Sequence, residues 1–125
     1  MSYDLGDAPD PAYDTLVANN GAQHVLGSNV YLGECVDGEP DGQPDATATG
    51  DDLAAGSPTF GTCSTPGDDE DGVTIGTLVT GDPTAPVDVD ANEACTLNAW
   101  IDWNGDGDWD DAGEQVFTDE ALSAG

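Results

Sequence analysis

Segment 102–114 places oxygen-bearing side chains at alternate positions around a glycine. The residues that share this spacing are Asp102, Asn104, Asp106, Asp108 and Asp110. A calcium ion takes about six to eight oxygen ligands, and Gly107 at the sixth loop position permits the sharp turn that such a loop needs. We therefore predict a Ca2+ site formed by the first three side chains, the Asp108 carbonyl oxygen and Asp110, the last directly or through water.

The loop departs from the EF-hand pattern, because its twelfth position is Gly113 and the nearest glutamate, Glu114, comes one residue late. Its flanks have the character of strands. Small and apolar residues occupy every second position of 95–101, and 115–118 is rich in β-forming residues. These patterns predict a loop at the tip of a long β-hairpin. The alternative is a solvated acidic turn without a metal, which the regular spacing disfavours.

The charge of the chain restricts its partners. It contains 27 acidic residues and no Lys or Arg, which gives a formal net charge of −27. Nucleic acid and anionic membranes are therefore excluded as direct electrostatic partners. Two carboxylates about 5 Å apart repel by roughly 3 kcal/mol at an effective dielectric constant of about 20, so cations must come from solution. A surface adapted to high salt is an alternative source of this acidity, and both explanations can apply together.

A second acidic region extends over 35–72, where Asp, Gly, Pro, Thr and Ala dominate. A loop of this length in a small domain is usually functional or disordered, and metal ligation would order it. The additional metal ligands that we predict are Asp51, Asp68, Asp69 and Asp71, with Asp7 from the N-terminal segment. The segment 1–21 is expected to be an irregular lead-in, since Pro9 and Pro11 oppose regular structure. Its acidic residues either face a cation or form Asx-turns.

The cysteines point to an oxidising compartment. Cys35 and Cys63 flank the first part of the acidic region, and we predict a disulfide between them, with Cys95 as a free thiol. Weak calcium sites also need the high Ca2+ concentration found outside cells. We therefore expect an extracellular or cell-surface protein. His24, the single histidine, has no evident catalytic partner and is interpreted as a structural or surface residue.

The predicted fold is all-β. Strands are expected over 73–80, 86–89, 95–101 and 115–119, and two short strands over 22–33. These elements predict one calcium-stabilised β-sandwich over 1–125, with long Asp/Gly-rich loops. The final residues, 121–125, have the composition of a strand cut off before its partner, so the sandwich lacks its last strand in this interpretation. In the alternative, the remainder of the chain folds back on the same sheet.

Several motifs occur in one order along nearly the whole chain. Residues 3–10 match a Y-D-x-G-D-A-P-D opening, 41–44, 48–52 and 69–73 match the middle, and 99–107 with 112–114 match the end. The sequence thus resembles the GEVED-type module that is repeated in large secreted bacterial surface proteins. The resemblance implies an extracellular, β-rich, adhesin-like module without catalytic residues. The cysteines are not part of that pattern, and members of the family continue beyond the point where this chain stops.

The function predicted from these features is structural: a calcium-binding building block of an adhesin, matrix protein or filament. The alternative is a Ca2+-dependent carbohydrate- or peptide-binding module, for which Trp103 and Trp109 would supply an apolar platform. Packing of these rings against the domain is the other role open to them. An enzyme is disfavoured, because the acids lie in turns without an apolar surrounding. The expected partners are Ca2+ and neighbouring modules or copies of the chain, joined by donation of residues 1–15 as a strand.

Overall fold

The computed structural model describes residues 1–27, 29–53, 55–69 and 72–125, and within these ranges the chain is all-β. The strands are β1 (Ser2–Leu5), β2 (Gln23–Leu26), β3 (Cys35–Val36), β4 (Phe60–Gly61), β5 (Val73–Ile75), β6 (Val87–Val89), β7 (Cys95–Trp100) and β8 (Gln115–Leu122). Two single 3-10 turns, Val17–Asn19 and Asp51–Leu53, are the helical elements in these ranges. No helix in the described part of the chain has the length and apolarity needed to cross a membrane.

The strands pair as four antiparallel two-stranded ladders: β1–β2, β3–β4, β5–β6 and β7–β8. The all-β class predicted from the sequence is therefore confirmed. In the described ranges the ladders do not join into larger sheets, so the sandwich stays a prediction. Its predicted strands 73–80 and 86–89 appear as the shorter pair Val73–Ile75 and Val87–Val89.

The predicted hairpin is confirmed and carries the 102–114 loop at its tip. Cys95 lies opposite Leu122 at its base and Trp100 opposite Gln115 near the loop, with irregular register around Ala99. β8 extends three residues beyond the predicted end at 119, and Ala121 pairs with Thr96. The expectation that 121–125 begins with an unpaired strand is thus wrong for Ala121 and Leu122, because the regular part of β7 is long enough to accommodate them.

The N-terminal segment differs from the expected irregular lead-in, since Ser2–Leu5 forms β1. Pro9 and Pro11 follow this strand and leave its backbone N–H groups free to pair with β2. Glu39 lies beside β1, where its N–H donates to the Tyr3 carbonyl oxygen at 2.9 Å. Of the two strands expected in 22–33, β2 is the one that forms among the described residues, while Leu32 makes a single bridge to Ala91.

The interior of the described chain combines a few apolar residues with acidic ones. The buried apolar residues are Leu5, Leu26, Cys35, Val36 and Ala91. The buried acidic residues are Asp7, Asp37, Glu39, Asp51 and Glu114. The predicted Cys35–Cys63 disulfide is present, with its Cα atoms 5.1 Å apart, and Cys95 is a free, partly covered thiol. His24 lies opposite Asp4 in the β1–β2 ladder, and its Nδ1 is 3.5 Å from the Asp4 carboxylate.

Candidate metal centre

The loop between β7 and β8 is closed at its base and turned at its glycines. The Ile101 N–H donates to the Glu114 carbonyl oxygen at 2.8 Å, which brings the two ends of the loop together. Gly105 and Gly107 have φ angles of 73° and 95°, a backbone conformation that glycine adopts without steric cost. Their N–H groups donate to the two carboxylate oxygens of Asp102, at 2.6 Å and 3.0 Å. The first acidic residue of the loop therefore organises the turn that follows it.

Three carboxylates converge inside this loop. Oxygen atoms of Asp102, Asp106 and Glu114 all lie within 4.8 Å of one another. Because calcium–oxygen distances are about 2.3–2.6 Å, oxygens on opposite sides of one ion are about 5 Å apart. The three side chains can thus share one metal ion. We call these residues the loop cluster.

Glu114 is the member of the loop cluster that sequence reasoning missed. The extra residue before it is absorbed by a turn, in which Gly113 has a φ of 97° and the Glu114 N–H donates to the Asp111 carbonyl oxygen at 3.2 Å. Only 2% of the Glu114 surface is exposed, and its Oε1 has no hydrogen-bond partner among the described residues. The sequence did contain a signal for Glu114. The β-forming residues begin at 115, and closure of a hairpin brings the residue before its second strand back to the base of the loop.

Two carboxyl groups of the loop cluster have pKa values that are shifted in opposite directions. Burial raises the pKa of Glu114 above its ordinary value, and the charges of Asp102 and Asp106 add to this effect. Burial acts in the same direction on Asp102, but hydrogen bonds from the Gly105 N–H, the Tyr13 hydroxyl and the Gly107 N–H outweigh it and lower the pKa of this carboxyl. The hydrogen bond to Asp102 in turn raises the pKa of Tyr13. Asp102 is therefore held as a carboxylate, the form that a cation requires.

Two of the other ligands predicted for this loop, Asn104 and Asp108, form hydrogen bonds with neighbouring residues of the loop. The Asn104 amide nitrogen donates to Asp106 Oδ2 at 2.9 Å and to Asp111 Oδ2 at 2.6 Å. Its Oδ1 accepts from the Asp106 N–H at 2.9 Å. The Asp108 carboxylate accepts from the Asp110 N–H at 2.9 Å, as in an Asx-turn, while the Asp110 side chain is exposed. Ligation by Asn104, the Asp108 carbonyl and Asp110 stays a prediction.

A cleft of about 400 Å³ adjoins the loop. Its lining includes Trp100 and Trp109, whose rings stack at a centroid distance of 6.3 Å, and the acidic residues Asp14, Asp108 and Asp110. Trp109 also contacts the ring of Tyr13 at 4.8 Å, so it packs the loop onto the N-terminal segment. Trp103, by contrast, is 63% exposed. Of the two tryptophans considered for an apolar platform, Trp109 is therefore packed and lines the cleft, whereas Trp103 is largely exposed.

The residues predicted for a second centre are only partly brought together. Asp7 and Asp51 are both buried, and their carboxyl groups lie within hydrogen-bonding reach of each other. Asp69 Oδ2 accepts from the Asp37 N–H at 2.9 Å and its charge acts on Asp51. The Asp68 side chain is exposed. The predicted ligand Asp71 lies outside the described residues.

Two buried acids of this region, Asp37 and Glu39, were not among the predicted ligands. Burial raises the pKa of Glu39 to about 9, and contact with the Asp37 carboxyl adds to that shift. Burial likewise raises the pKa of Asp51 to about 7, with Asp7 as the next contributor. No sequence pattern identifies Glu39, because its position depends on the pairing of its backbone with β1.

Comparison of the chain with protein-family models, with curated proteins and with solved structures finds no match.

Proposed function

We propose that the chain is a calcium-stabilised structural module of an extracellular protein. The loop cluster carries this proposal, because its three carboxylates lie close enough to share one ion and one oxygen of the buried Glu114 lacks a partner in the described chain. The chain has no Lys or Arg with which to neutralise them. Oxygen-only ligands on a glycine-rich loop suit Ca2+ better than Zn2+, which prefers nitrogen and sulfur.

The wider assignment rests on several features of the chain. The Cys35–Cys63 disulfide is compatible with an oxidising, extracellular environment. The motif order of a GEVED-type surface module supports an adhesin, matrix protein or filament as the parent assembly, and a sandwich as the complete fold. A non-catalytic role without direct contact to nucleic acid or membrane is part of the same proposal, in keeping with the net charge of −27.

Assembly through neighbouring modules or copies of the chain also belongs to this proposal. β1 pairs with β2 on one side and bridges to Glu39 on the other. Donation of residues 1–15 to a neighbouring copy would therefore exchange an internal pairing for an external one, as in domain swapping. Light scattering with and without millimolar Ca2+ tests this step. Growth of the particles in Ca2+ supports it, and a monodisperse monomer under both conditions contradicts it.

Thermal unfolding in Ca2+ and in chelator tests the structural role. At a free Ca2+ concentration a hundred times the dissociation constant, one site adds about 2.7 kcal/mol to the free energy of unfolding. That is a large share of the stability of a small domain. We expect Asp106→Ala to remove most of the Ca2+-dependent rise in melting temperature. The proposal fails if the wild-type melting curve is the same in chelator.

A second candidate function is Ca2+-dependent binding of a carbohydrate or peptide. The cleft beside the loop favours it, because stacked tryptophans and carboxylates that could share a cation with a ligand line the same space. Sugar rings pack on aromatic faces, and a cation bridges their hydroxyl groups to carboxylates. Glycan-array binding that requires Ca2+ and is lost in Trp109→Ala would favour this function over a purely structural one. Trp103→Ala is the control, since Trp103 does not line the cleft.

A further inference from the structure

Three acidic residues line the cleft beside the hairpin loop. They are Asp14 from the N-terminal segment and Asp108 and Asp110 from the loop. Asp14 and Asp110 are exposed, and Asp108 is partly covered. Asp108 and Asp110 belong to the regular acidic spacing of the loop, yet their carboxylates are not part of the loop cluster. The loop cluster therefore leaves these two carboxylates without a role.

The carboxylates of the cleft are too far apart for all three to hold one metal ion. Among the described residues, the loop cluster is the group whose three ligand oxygens lie within 4.8 Å of one another, and Asp14, Asp108 and Asp110 together do not meet this condition. They line a cavity of about 400 Å³. A volume of this size is typical of sites for small organic ligands. The arrangement thus suits a cation whose charge is spread over several atoms.

Aromatic rings form the second part of the lining. The ring centroids of Trp100 and Trp109 are 6.3 Å apart, and their planes are inclined by 28°. The Trp109 ring also contacts the ring of Tyr13 at 4.8 Å, so the N-terminal segment holds it in position. The face of an indole ring attracts a cation within about 6 Å, more strongly than other aromatic side chains do. Carboxylates and indole rings therefore both favour a positively charged ligand.

The side chains of this protein cannot supply that ligand. The chain has no Lys or Arg, and its one histidine lies beside Asp4. A second copy of the chain has the same composition and a net charge of −27, so the two copies repel each other. The cation therefore has to come from a different molecule.

We propose that the cleft binds the arginine side chain of a partner polypeptide. A guanidinium group is planar, stacks on aromatic rings and has five N–H donors, so it can contact an indole ring and carboxylates at once. A lysine ammonium is a compact, strongly hydrated charge and suits this lining less well. Pro11, Ala12 and Ala22 add apolar surface for the methylene groups of the side chain. This inference deepens the second candidate function by naming the ligand class, and it rests on that function.

NMR titration of the whole chain in millimolar Ca2+ tests the proposal. The probe is Nα-acetyl-arginine amide, whose guanidinium is its only charge, and the readout is the indole N–H signals of the tryptophans. We expect saturable shifts of the Trp100 and Trp109 signals and no shift for Trp103, which does not line the cleft. The citrulline derivative, which is neutral and nearly isosteric, should shift none of them. Equal shifts of all the indole signals, or equal shifts with the neutral analogue, overturn the proposal.

Two variants of equal net charge separate binding in the cleft from general attraction to an acidic protein. Asp14→Asn removes an exposed carboxylate of the cleft and should raise the apparent dissociation constant roughly two- to fivefold, the range for an exposed ion pair. Asp82→Asn makes the same change outside the cleft, at an exposed Asx-turn with Thr84, and should bind like the wild type. Equal affinities of the two variants overturn the proposal. Should Asp14→Asn fail to fold, the arginine and citrulline derivatives decide on the wild type.

Further probes separate this proposal from the rest of the second candidate function. Nα-acetyl-lysine amide should bind more weakly than the arginine derivative, and equal or tighter binding overturns the choice of a guanidinium. If a glycan shifts the Trp100 and Trp109 signals and the arginine derivative does not, this proposal is wrong and carbohydrate binding in the cleft stands. If neither ligand shifts them, both fail.

Discussion

The Tyr13 hydroxyl donates a hydrogen bond of 3.0 Å to Asp102 Oδ2, across 89 residues of sequence. This contact and the packing of Tyr13 on Trp109 attach the N-terminal segment to the first acidic residue of the hairpin loop. The loop cluster is therefore supported by a part of the chain outside its own hairpin. Groups that orient metal ligands in this manner affect metal affinity without touching the ion.

Tyr13→Phe removes that hydroxyl and keeps the ring on Trp109. We expect the Ca2+ affinity of the loop to fall about tenfold, as is usual for the loss of a group that orients a ligand. The measurement is calorimetric titration with Ca2+. Tyr31→Phe is the control, because Tyr31 lies outside the loop and pairs through its backbone with Asn92. Equal affinities for the two variants would contradict an orienting role.

Glu114→Gln and Asp110→Asn discriminate between the ligand set seen in the structure and the one read from loop spacing. Each change removes one negative charge. Because Glu114 converges with Asp102 and Asp106 while Asp110 is exposed, Glu114→Gln should weaken Ca2+ binding by more than the roughly tenfold loss expected for Tyr13→Phe. Asp110→Asn should bind nearly as well as the wild type. If Asp110→Asn instead weakens Ca2+ binding more than Glu114→Gln does, the ligand is Asp110, at the ninth loop position, and not Glu114.

The interior acids make the cation-free protein sensitive to pH. The raised pKa values of Glu39 (about 9) and Asp51 (about 7) mean that the folded state holds protons that the unfolded state releases. The stability that these groups contribute is present at low pH, below their ordinary values near 4, and is lost as pH rises through about 7 and then about 9.

We therefore expect the melting temperature in chelator to fall between pH 5 and about 9. Glu39→Gln should reduce this slope, because the amide needs no proton to hydrogen-bond with Asp37. Thermal unfolding followed by circular dichroism at several pH values measures the slope. A melting temperature that rises with pH over this interval would show that the interior carboxyls ionise freely.

The disulfide should contribute substantially to stability. Cys35 and Cys63 are 28 residues apart in sequence, and closing a loop of that length in the unfolded chain is worth roughly 3–4 kcal/mol. The double variant Cys35→Ser with Cys63→Ser should be destabilised to this extent in chemical denaturation. Cys95→Ser should be close to the wild type. Non-reducing peptide mapping that links Cys95 to either partner would contradict the assignment.

The hairpin and its loop were predictable because their signals are local. Alternation along 95–101, β-forming residues after the loop and the spacing of Asp102, Asn104 and Asp106 each depend on neighbours in sequence. The disulfide followed from the positions of two cysteines around one acidic segment. Glu114 was missed because the EF-hand pattern places its glutamate at the twelfth loop position. In this loop the turn at Gly113 accommodates an additional residue before the glutamate.

The burial of Asp37 and Glu39 could not be predicted in the same way. Asp37 and Glu39 look like many other acids in a segment rich in turns, and their burial follows from contacts with β1 and with Gly56. Those contacts are long-range. For Ser2–Leu5 the prolines nearby suggested irregular backbone, but the strand ends before they begin. Local propensity was overridden there by pairing with β2.

The near-equal share of apolar and acidic side chains in the interior has a consequence for where this protein can mature. The five buried apolar residues of the described chain give little hydrophobic driving force for a chain of this charge. On the proposed binding of Ca2+ at the loop cluster, a fluid poor in divalent ions leaves this self-repulsion unrelieved, and the folded state is then least stable. On the same proposal, a calcium-rich fluid stabilises the folded state, so the surrounding ion concentration sets the fraction of chains that are folded.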